Sequence, residues 1–123
     1  MVCIWGTNAK ETSQIRHLVH HSAYTYQTEI CTGLTALKSG LSSRACIAAI
    51  LDLDSVPLDN RTVNVLASEF PEVRLLCASR DRFHPELKDA ISHHIFACLT
   101  KPIDPDELHY FLKCIRDDLG WTR

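Results

Sequence analysis

The pattern of hydrophobic and polar residues divides this chain into strand-like and helix-like segments that alternate along the sequence. Strand candidates lie at residues 2–6, 25–31, 46–53, 73–78 and 95–99. The last three are apolar runs, typical of strands buried on both faces of a parallel sheet. Segments with helical spacing lie between and after the strand candidates, over residues 9–22, 33–39, 60–69, 84–93 and 105–118. The pattern therefore predicts an α/β fold, a doubly wound parallel sheet of five strands with helices on both faces.

The last predicted helix has the clearest beginning. Asp104 can cap it, Pro105 suits its first turn, and Glu107 completes a capping-box pattern. Its apolar positions recur at helical spacing, at Leu108, Phe111, Leu112 and Ile115. We interpret this stripe as core packing.

Three successive predicted strands end in side chains that can take part in chemistry. The run that begins at Ile47 ends in Asp52, with Asp54 two residues later; the next two end in Ser79 and Lys101. Because the carboxyl ends of parallel strands share one edge of a sheet, we expect Asp52, Ser79 and Lys101 to converge. A carboxylate, a hydroxyl and an ammonium suit phosphoryl transfer, with the carboxylate as acceptor and the other two binding phosphoryl oxygens. The alternative is that Asp52 and Asp54 are turn residues exposed to water.

The spacing of these residues resembles that of the receiver domains of two-component response regulators, over nearly the whole chain. Asp59 follows Asp52 by the seven residues that separate the acceptor from the Asp of the family's Asp-Gly, and Asn60 takes the Gly place. Asn tolerates the left-handed turn that Gly adopts. Lys101 precedes Pro102, as in the family's Lys-Pro, whose peptide bond is commonly cis.

The resemblance implies a flavodoxin-like sheet in strand order 2-1-3-4-5. It also implies that Asp52 is the phosphoacceptor and that Ser79 and Lys101 bind the phosphoryl group. Mg²⁺ would be the cofactor, and a histidine kinase or another signalling protein would be the partner. The family's partner-binding surface is formed by helix 4, strand 5 and helix 5.

The first strand departs from the family pattern. Receiver domains carry an acidic pair after strand 1 that holds Mg²⁺ with the acceptor Asp, but Gly6 and Thr7 stand there in this chain. Asp52 and Asp54 remain as metal-ligand candidates. Because Mg²⁺ prefers several hard oxygen ligands, we expect its binding to be weak.

Two further departures follow the later strands. Arg80 stands where receivers usually have a small residue, and Cys98 stands where they often have the Tyr or Phe that rotates on activation. A guanidinium can bind phosphoryl oxygens in a bidentate way, so Arg80 could partly compensate for a lost cation. Together with the missing acidic pair, these residues predict an atypical receiver.

Bulk properties narrow the class of protein. A length of 123 residues is typical of a single domain, here residues 1–123, which could lead into an effector domain in a longer protein. The net charge of −2 gives no electrostatic sign of nucleic-acid binding. No apolar run approaches membrane-spanning length, so we expect a cytoplasmic protein, bacterial by its resemblance. The 6 cysteines lie mostly in apolar segments without disulfide or zinc spacing, and we predict buried reduced thiols.

Two classes of function remain. The first is a signalling receiver that is not an enzyme and acts by protein–protein interaction, with weak or absent phosphorylation of Asp52 and possible homodimerisation. An ordinary receiver, phosphorylated on Asp52 by a histidine kinase, is the alternative within this class. The second class is a small flavodoxin-like enzyme or ligand-binding domain, although the chain has neither a glycine-rich phosphate loop nor a nucleophile elbow.

Overall fold

Five parallel strands form one sheet in the order β2-β1-β3-β4-β5. The computed structural model describes residues 1–22, 24, 26–81 and 84–121, the last three by their backbone alone. The strands are β1 Val2–Trp5, β2 Thr28–Cys31, β3 Ala48–Asp52, β4 Arg74–Ser79 and β5 Ile95–Thr100. The predicted fold class and strand order are confirmed. The predicted start of the second strand, residue 25, lies outside the described residues.

Five α-helices connect and follow the strands, as predicted. They are α1 Ala9–His20, α2 Leu34–Leu41, α3 Asn60–Glu69, α4 Lys88–His94 and α5 Pro105–Trp121. The fourth begins later than expected, because residues Pro85–Leu87 form a 3₁₀ turn before the α-helical hydrogen bonding starts. Pro85 occupies the first position of that turn, where its missing N–H costs nothing.

The core has two layers, one on each face of the sheet. Helices α1 and α5 bury apolar side chains against one face: Ile15, Val19, Leu108, Leu112 and Ile115. Helices α2, α3 and α4 cover the other face, with Leu37, Leu41, Val63, Leu66 and Ala90. Each fully buried Leu or Ile contributes about 1.5–3 kcal/mol. The arrangement confirms helices on both faces and places the strand ends at one rim.

An Asp side chain caps each of the helices α5 and α3, and the cap of α3 decides the conformation of Asn60. Asp104 caps α5, since its Oδ1 accepts a hydrogen bond of 2.9 Å from the Asp106 backbone N–H. Asp59 caps α3 by accepting from the Thr62 N–H at 2.8 Å. Asn60 is the first residue of α3, and no described residue other than Gly has a positive φ. The prediction of a left-handed turn at Asn60 is therefore wrong.

Asn60 instead connects α3 to the start of α4. Its Nδ2 donates to the Glu86 carbonyl at 2.8 Å, and its Oδ1 accepts from the Ala90 N–H at 3.0 Å. An amide carries both a donor and an acceptor, which Gly at this position would lack. The side chain therefore joins two helices on the same face of the sheet.

The cysteines divide by exposure. Cys3, Cys31, Cys46 and Cys77 are buried, Cys114 is half-buried and Cys98 is exposed, and all six are free. The prediction of buried reduced thiols is thus wrong for Cys98, because β5 is an edge strand and its outer positions face water. Among the described residues, none of the helices combines the length and apolar character needed to cross a bilayer.

Candidate functional site

Asp52 is the last residue of β3, and its side chain is completely buried. Both carboxylate oxygens accept hydrogen bonds. Oδ1 receives one of 2.6 Å from the Lys101 ammonium and one of 3.2 Å from the Asp54 N–H, while Oδ2 receives one of 2.9 Å from the Ser55 hydroxyl. A buried carboxylate is costly unless it is paired and hydrogen-bonded, and this one is both.

Lys101 follows β5 and brings a positive charge to the same rim. Its backbone N–H donates to the Ser79 carbonyl at 2.9 Å, which fixes the chain beside β4. Its ammonium lies 2.6 Å from Asp52, 2.9 Å from Asp54 and 3.1 Å from Glu11, and the side chain is only 9% exposed. The predicted approach of Lys101 to Asp52 is confirmed, as is the cis Lys101–Pro102 peptide bond.

Arg80 covers the outer side of this cluster. Its guanidinium pairs with Glu11 and lies 3.3 Å from Asp54, and its backbone N–H donates to Asp54 at 3.2 Å. The Arg80 side chain is 64% exposed, so it lies between the carboxylates and solvent. Three carboxylates and two cations thus form one ion-pair network: Glu11, Asp52, Asp54, Arg80 and Lys101.

Glu11 is the member of this network that sequence reasoning missed. It lies in the first turn of α1, where its N–H donates to the Asn8 side chain that caps the helix. One oxygen of Glu11, Asp52 and Asp54 each lies within 4.8 Å of the others. The signal was present, because Asn8 and Glu11 have the spacing of a capping box just after β1. That spacing places Glu11 at the carboxyl-end rim of the sheet.

Gly6 and Thr7 stand where the resemblance to receiver domains calls for an acidic pair, and both lie beside the pocket floor. A Cβ on Gly6 would lie 2.6 Å from the Thr12 methyl group and 3.2 Å from the Asp52 Cβ. The Thr7 backbone N–H donates to the Ser55 hydroxyl at 3.0 Å, and the Thr7 hydroxyl donates to the Ser55 carbonyl at 3.0 Å. The space that an acidic side chain at position 6 would need is therefore occupied.

The Ser79 hydroxyl is engaged away from the network. It donates to the Asp81 carbonyl and lies 2.8 Å from the Nε2 of His84. Its backbone carbonyl, by contrast, holds Lys101. The structure thus brings Asp52 and Lys101 together and turns the Ser79 hydroxyl toward the loop after β4, so phosphoryl binding by Ser79 stays a prediction.

The three carboxylates are suitable donors for a divalent cation, because Mg²⁺ prefers hard oxygen ligands. Their cluster fits such an ion in number and kind of donor. Each carboxylate is, however, already paired with Lys101, and two of them also with Arg80. A metal ion would have to compete with two cations of the protein itself.

A cavity of about 910 Å³ borders the network on the side of α1 and the β5–α5 loop. Charged and apolar side chains line it, among them Glu11, Ile15, Leu18, Arg80, Lys101 and Ile103. Glu11, Arg80 and Lys101 belong both to the cavity wall and to the ion-pair network. A molecule that binds in the cavity would therefore touch the network directly.

This chain is similar to known proteins in structure, but no similar sequence was found among protein families or curated proteins. No family model matches the chain, and no curated protein sequence matches it. A response regulator receiver domain protein (CheY-like) from Methanospirillum hungatei superposes with a TM-score of 0.80 at 11% identity, covering 99% of this chain and 97% of the other.

Two further solved structures are similar. The signal receiver domain of an HD domain-containing protein from Pseudomonas fluorescens has a TM-score of 0.78 at 18% identity, covering 99% of this chain and 90% of its own. A chemotaxis response regulator of Vibrio cholerae has a TM-score of 0.70 at 18% identity, covering 93% and 96%. The chain has the fold of response regulator receiver domains.

Proposed function

We propose that this chain, over residues 1–123, is an atypical receiver domain in two-component signal transduction. It acts by binding a protein partner, is not an enzyme, and accepts a phosphoryl group on Asp52 slowly or not at all. The shared fold supports the receiver role, and so does the pairing of Asp52 with Lys101 at 2.6 Å. An ordinary receiver phosphorylated on Asp52 by a histidine kinase is the alternative.

The observation that carries the proposal is the saturation of Asp52. An acceptor carboxylate must present a free oxygen in line with the phosphorus atom. Here three donors hold the two oxygens, and the side chain has no exposed surface. A phosphoryl donor would have to displace Ser55 or Lys101 and approach past Glu11 and Asp54, whose charges repel it.

Glu11, Asp52 and Asp54 would hold Mg²⁺ if it bound. The ion would supply positive charge that neutralises the transferred phosphoryl group. Lys101 and Arg80 already neutralise two of the three negative charges, so the electrostatic attraction for a divalent ion is reduced. We therefore expect weak Mg²⁺ binding, although the oxygen set is larger than Asp52 and Asp54 alone would provide.

The partner-binding surface in this proposal is the face formed by α4, β5 and α5. Phe96 on β5 is 40% exposed and Tyr110 on α5 is 63% exposed, and the Phe96 ring packs at a tilt beside Phe111 with ring centroids 6.1 Å apart. Exposed aromatic side chains are enriched in protein interfaces. A histidine kinase, another signalling protein or a second copy would fit this face. Sedimentation velocity of the parent and of Phe96→Ser tests the second copy.

Phosphorylation is tested with acetyl phosphate and Mg²⁺, followed by intact mass spectrometry. The parent and the isosteric variant Asp52→Asn are expected to give the same low signal in the time that fully phosphorylates an ordinary receiver treated in parallel. Losing charge neutralisation slows such a reaction by orders of magnitude. Rapid and near-complete gain of one phosphoryl group by the parent, abolished by Asp52→Asn, would establish the ordinary receiver instead.

A small enzyme or ligand-binding domain is the alternative from another class, and the cavity of about 910 Å³ is the feature that favours it. Backbone NMR titrations separate the classes. Even a receiver that binds Mg²⁺ weakly responds to high Mg²⁺ concentrations at Asp52 and Asp54. A ligand-binding domain responds instead to small phosphorylated compounds, with shifts at the cavity residues of α1, Arg80 and the β5–α5 loop.

A further inference from the structure

We propose that Cys98 is a site of oxidative modification, at which hydrogen peroxide oxidises the thiol and Cys77 then closes a disulfide with it. The two residues lie directly opposite each other, as register partners on the parallel strands β4 and β5. This proposal concerns a part of the molecule away from the ion-pair network and does not depend on phosphorylation of Asp52.

The distance between the strands suits a disulfide. Neighbouring strands lie about 4.8 Å apart, and the Cα atoms of a disulfide are usually about 4.4–6.8 Å apart. Register partners on neighbouring strands point to the same face of the sheet, and both cysteines line one cavity of about 400 Å³. Bridging them therefore requires no change in strand register.

Access distinguishes Cys98 from the other thiols. Cys98 is exposed in the cavity wall, while Cys77, which lines the same cavity, is 1% exposed. Cys3 and Cys46 also lie close together, with their sulfur atoms 3.7 Å apart, but they are 0% and 7% exposed in the core. An oxidant from solvent therefore reaches Cys98 before either member of the Cys3–Cys46 pair.

The surroundings of Cys98 favour its thiolate, the form that reacts with peroxide. The neighbouring Cys77 thiol, acting as a donor, lowers the pKa of Cys98 to about 7, and His84 acts in the same direction, whereas burial acts against them. The Cys77 thiol itself has a raised pKa and stays protonated. The titratable and polar groups that face Cys98 across the cavity come from β4, β5, α5 and the loop after β4: Cys77, Ser79, Asp81, His84, Thr100 and Glu107.

The chemistry balances with hydrogen peroxide as the oxidant. The Cys98 thiolate attacks one peroxide oxygen, the O–O bond breaks, and hydroxide leaves and takes up a proton, giving Cys98 sulfenic acid and water. The Cys77 sulfur then attacks the Cys98 sulfur, and the S–O bond breaks as the S–S bond forms. The departing oxygen leaves as a second water that carries the Cys77 proton. Two thiols lose two electrons in all, and one peroxide is reduced to two waters.

The disulfide would join β4 to β5 beneath the loop after β4. Ser79 and His84, which hold each other at 2.8 Å, line the same cavity as the two cysteines. Oxidation is therefore expected to alter the environment of that loop and of the start of α4. NMR shifts on oxidation should be concentrated at these residues and should leave the α1 side of the sheet unchanged.

The test is peroxide treatment of the full chain, followed by alkylation, digestion and mass spectrometry. The parent is expected to lose two hydrogen masses and to yield a peptide pair linked through residues 77 and 98. Cys98→Ser should form no bridge. Cys77→Ala lacks the second thiol, so Cys98 sulfenic acid should accumulate and be trapped by the dione reagent dimedone, which reacts with sulfenic acids. Cys114→Ser is the matched control and should form the bridge at the parental rate.

Three outcomes would overturn the proposal. The first is that the Cys98→Ser variant forms a disulfide at the parental rate. The second is that the first disulfide to form in the parent joins cysteines other than Cys77 and Cys98. The third is that the Cys77→Ala variant keeps the parental circular dichroism spectrum but gives no dimedone adduct on Cys98. The spectrum separates this third result from misfolding, because Cys77 is buried and its replacement could disturb the core. Cys98 is exposed, so Cys98→Ser tests reactivity with little risk to the fold.

Discussion

Removing the Lys101 ammonium is the sharpest test of the ion-pair network. In Lys101→Met the apolar stem of the side chain is kept, while Asp52, Asp54 and Glu11 lose the cation that all three contact. Asp52 keeps only the Ser55 hydroxyl and the Asp54 N–H as donors. The substitution thus leaves a completely buried carboxylate without an opposite charge.

The size of the effect follows from burial. Breaking a buried ion pair by removing one partner costs about 3–5 kcal/mol, because the remaining charge stays desolvated. Glu11 and Asp54 are 12% and 20% exposed and keep Arg80, so their share of the cost is small. We therefore expect a loss near the lower end, about 3 kcal/mol, equivalent to a fall in Tm of roughly 10–15 °C.

Urea denaturation followed by circular dichroism measures this loss. Lys38→Met is the matched control, since it removes the same kind of side chain from a pair with Glu69 whose members are 35% and 48% exposed. Such surface pairs contribute about 0–1 kcal/mol. In the double variant with Asp52→Asn, the loss should fall short of the sum of the single losses by at least about 1 kcal/mol. If Lys101→Met costs no more than Lys38→Met, the network does not hold the pocket as argued.

Further predictions concern the pocket floor, the α3–α4 connection and the reactive thiol. Gly6→Asp should destabilise the fold by about 1–3 kcal/mol, because its Cβ meets the Thr12 methyl group at 2.6 Å. Calorimetry should show stronger Mg²⁺ binding than in the parent only when Thr12→Ser accompanies it, and stronger binding by Gly6→Asp alone would contradict this. Asn60→Ala should cost about 1–3 kcal/mol in urea denaturation by leaving two groups without their partner, whereas the exposed Asn64→Ala should change stability by less than about 0.5 kcal/mol. The rate of Cys98 alkylation by iodoacetamide should rise with pH around a midpoint of about 7, because the hydrogen bond from Cys77 favours the thiolate; a midpoint near the ordinary thiol value of 9.0 would refute it.

The residues that end strands could be located from the sequence, because an apolar run shows where a strand stops. Asp52 and Lys101 were found in this way, and parallel topology then placed them at one rim. The same rule does not locate Glu11, because this residue lies in the first turn of a helix. The direction of its side chain depends on the angle at which α1 leaves β1. A capping-box pattern marks the helix start but does not say what the Glu side chain faces.

Two misreadings came from treating the family pattern as local geometry. The family pattern suggests that Asn60 replaces Gly in a left-handed turn, but Asp59 caps α3 and Asn60 is the first residue of the helix. Gly6 was read only as a lost carboxylate. The structure shows that Thr12 fills the space beside it, which only the packing of α1 on β1 reveals. Side-chain packing between distant segments is what a single sequence cannot supply.

The contacts of the ion-pair network join segments that are far apart in the chain. Glu11 and Lys101 are 90 positions apart, Glu11 and Arg80 are 69 apart, and Asp52 and Lys101 are 49 apart. Closing loops of this length costs conformational entropy, which must be spent before the contacts can form. Interactions absent from the folding transition state affect mainly the rate of unfolding. We therefore expect loss of the pocket contacts to speed unfolding more than it slows folding.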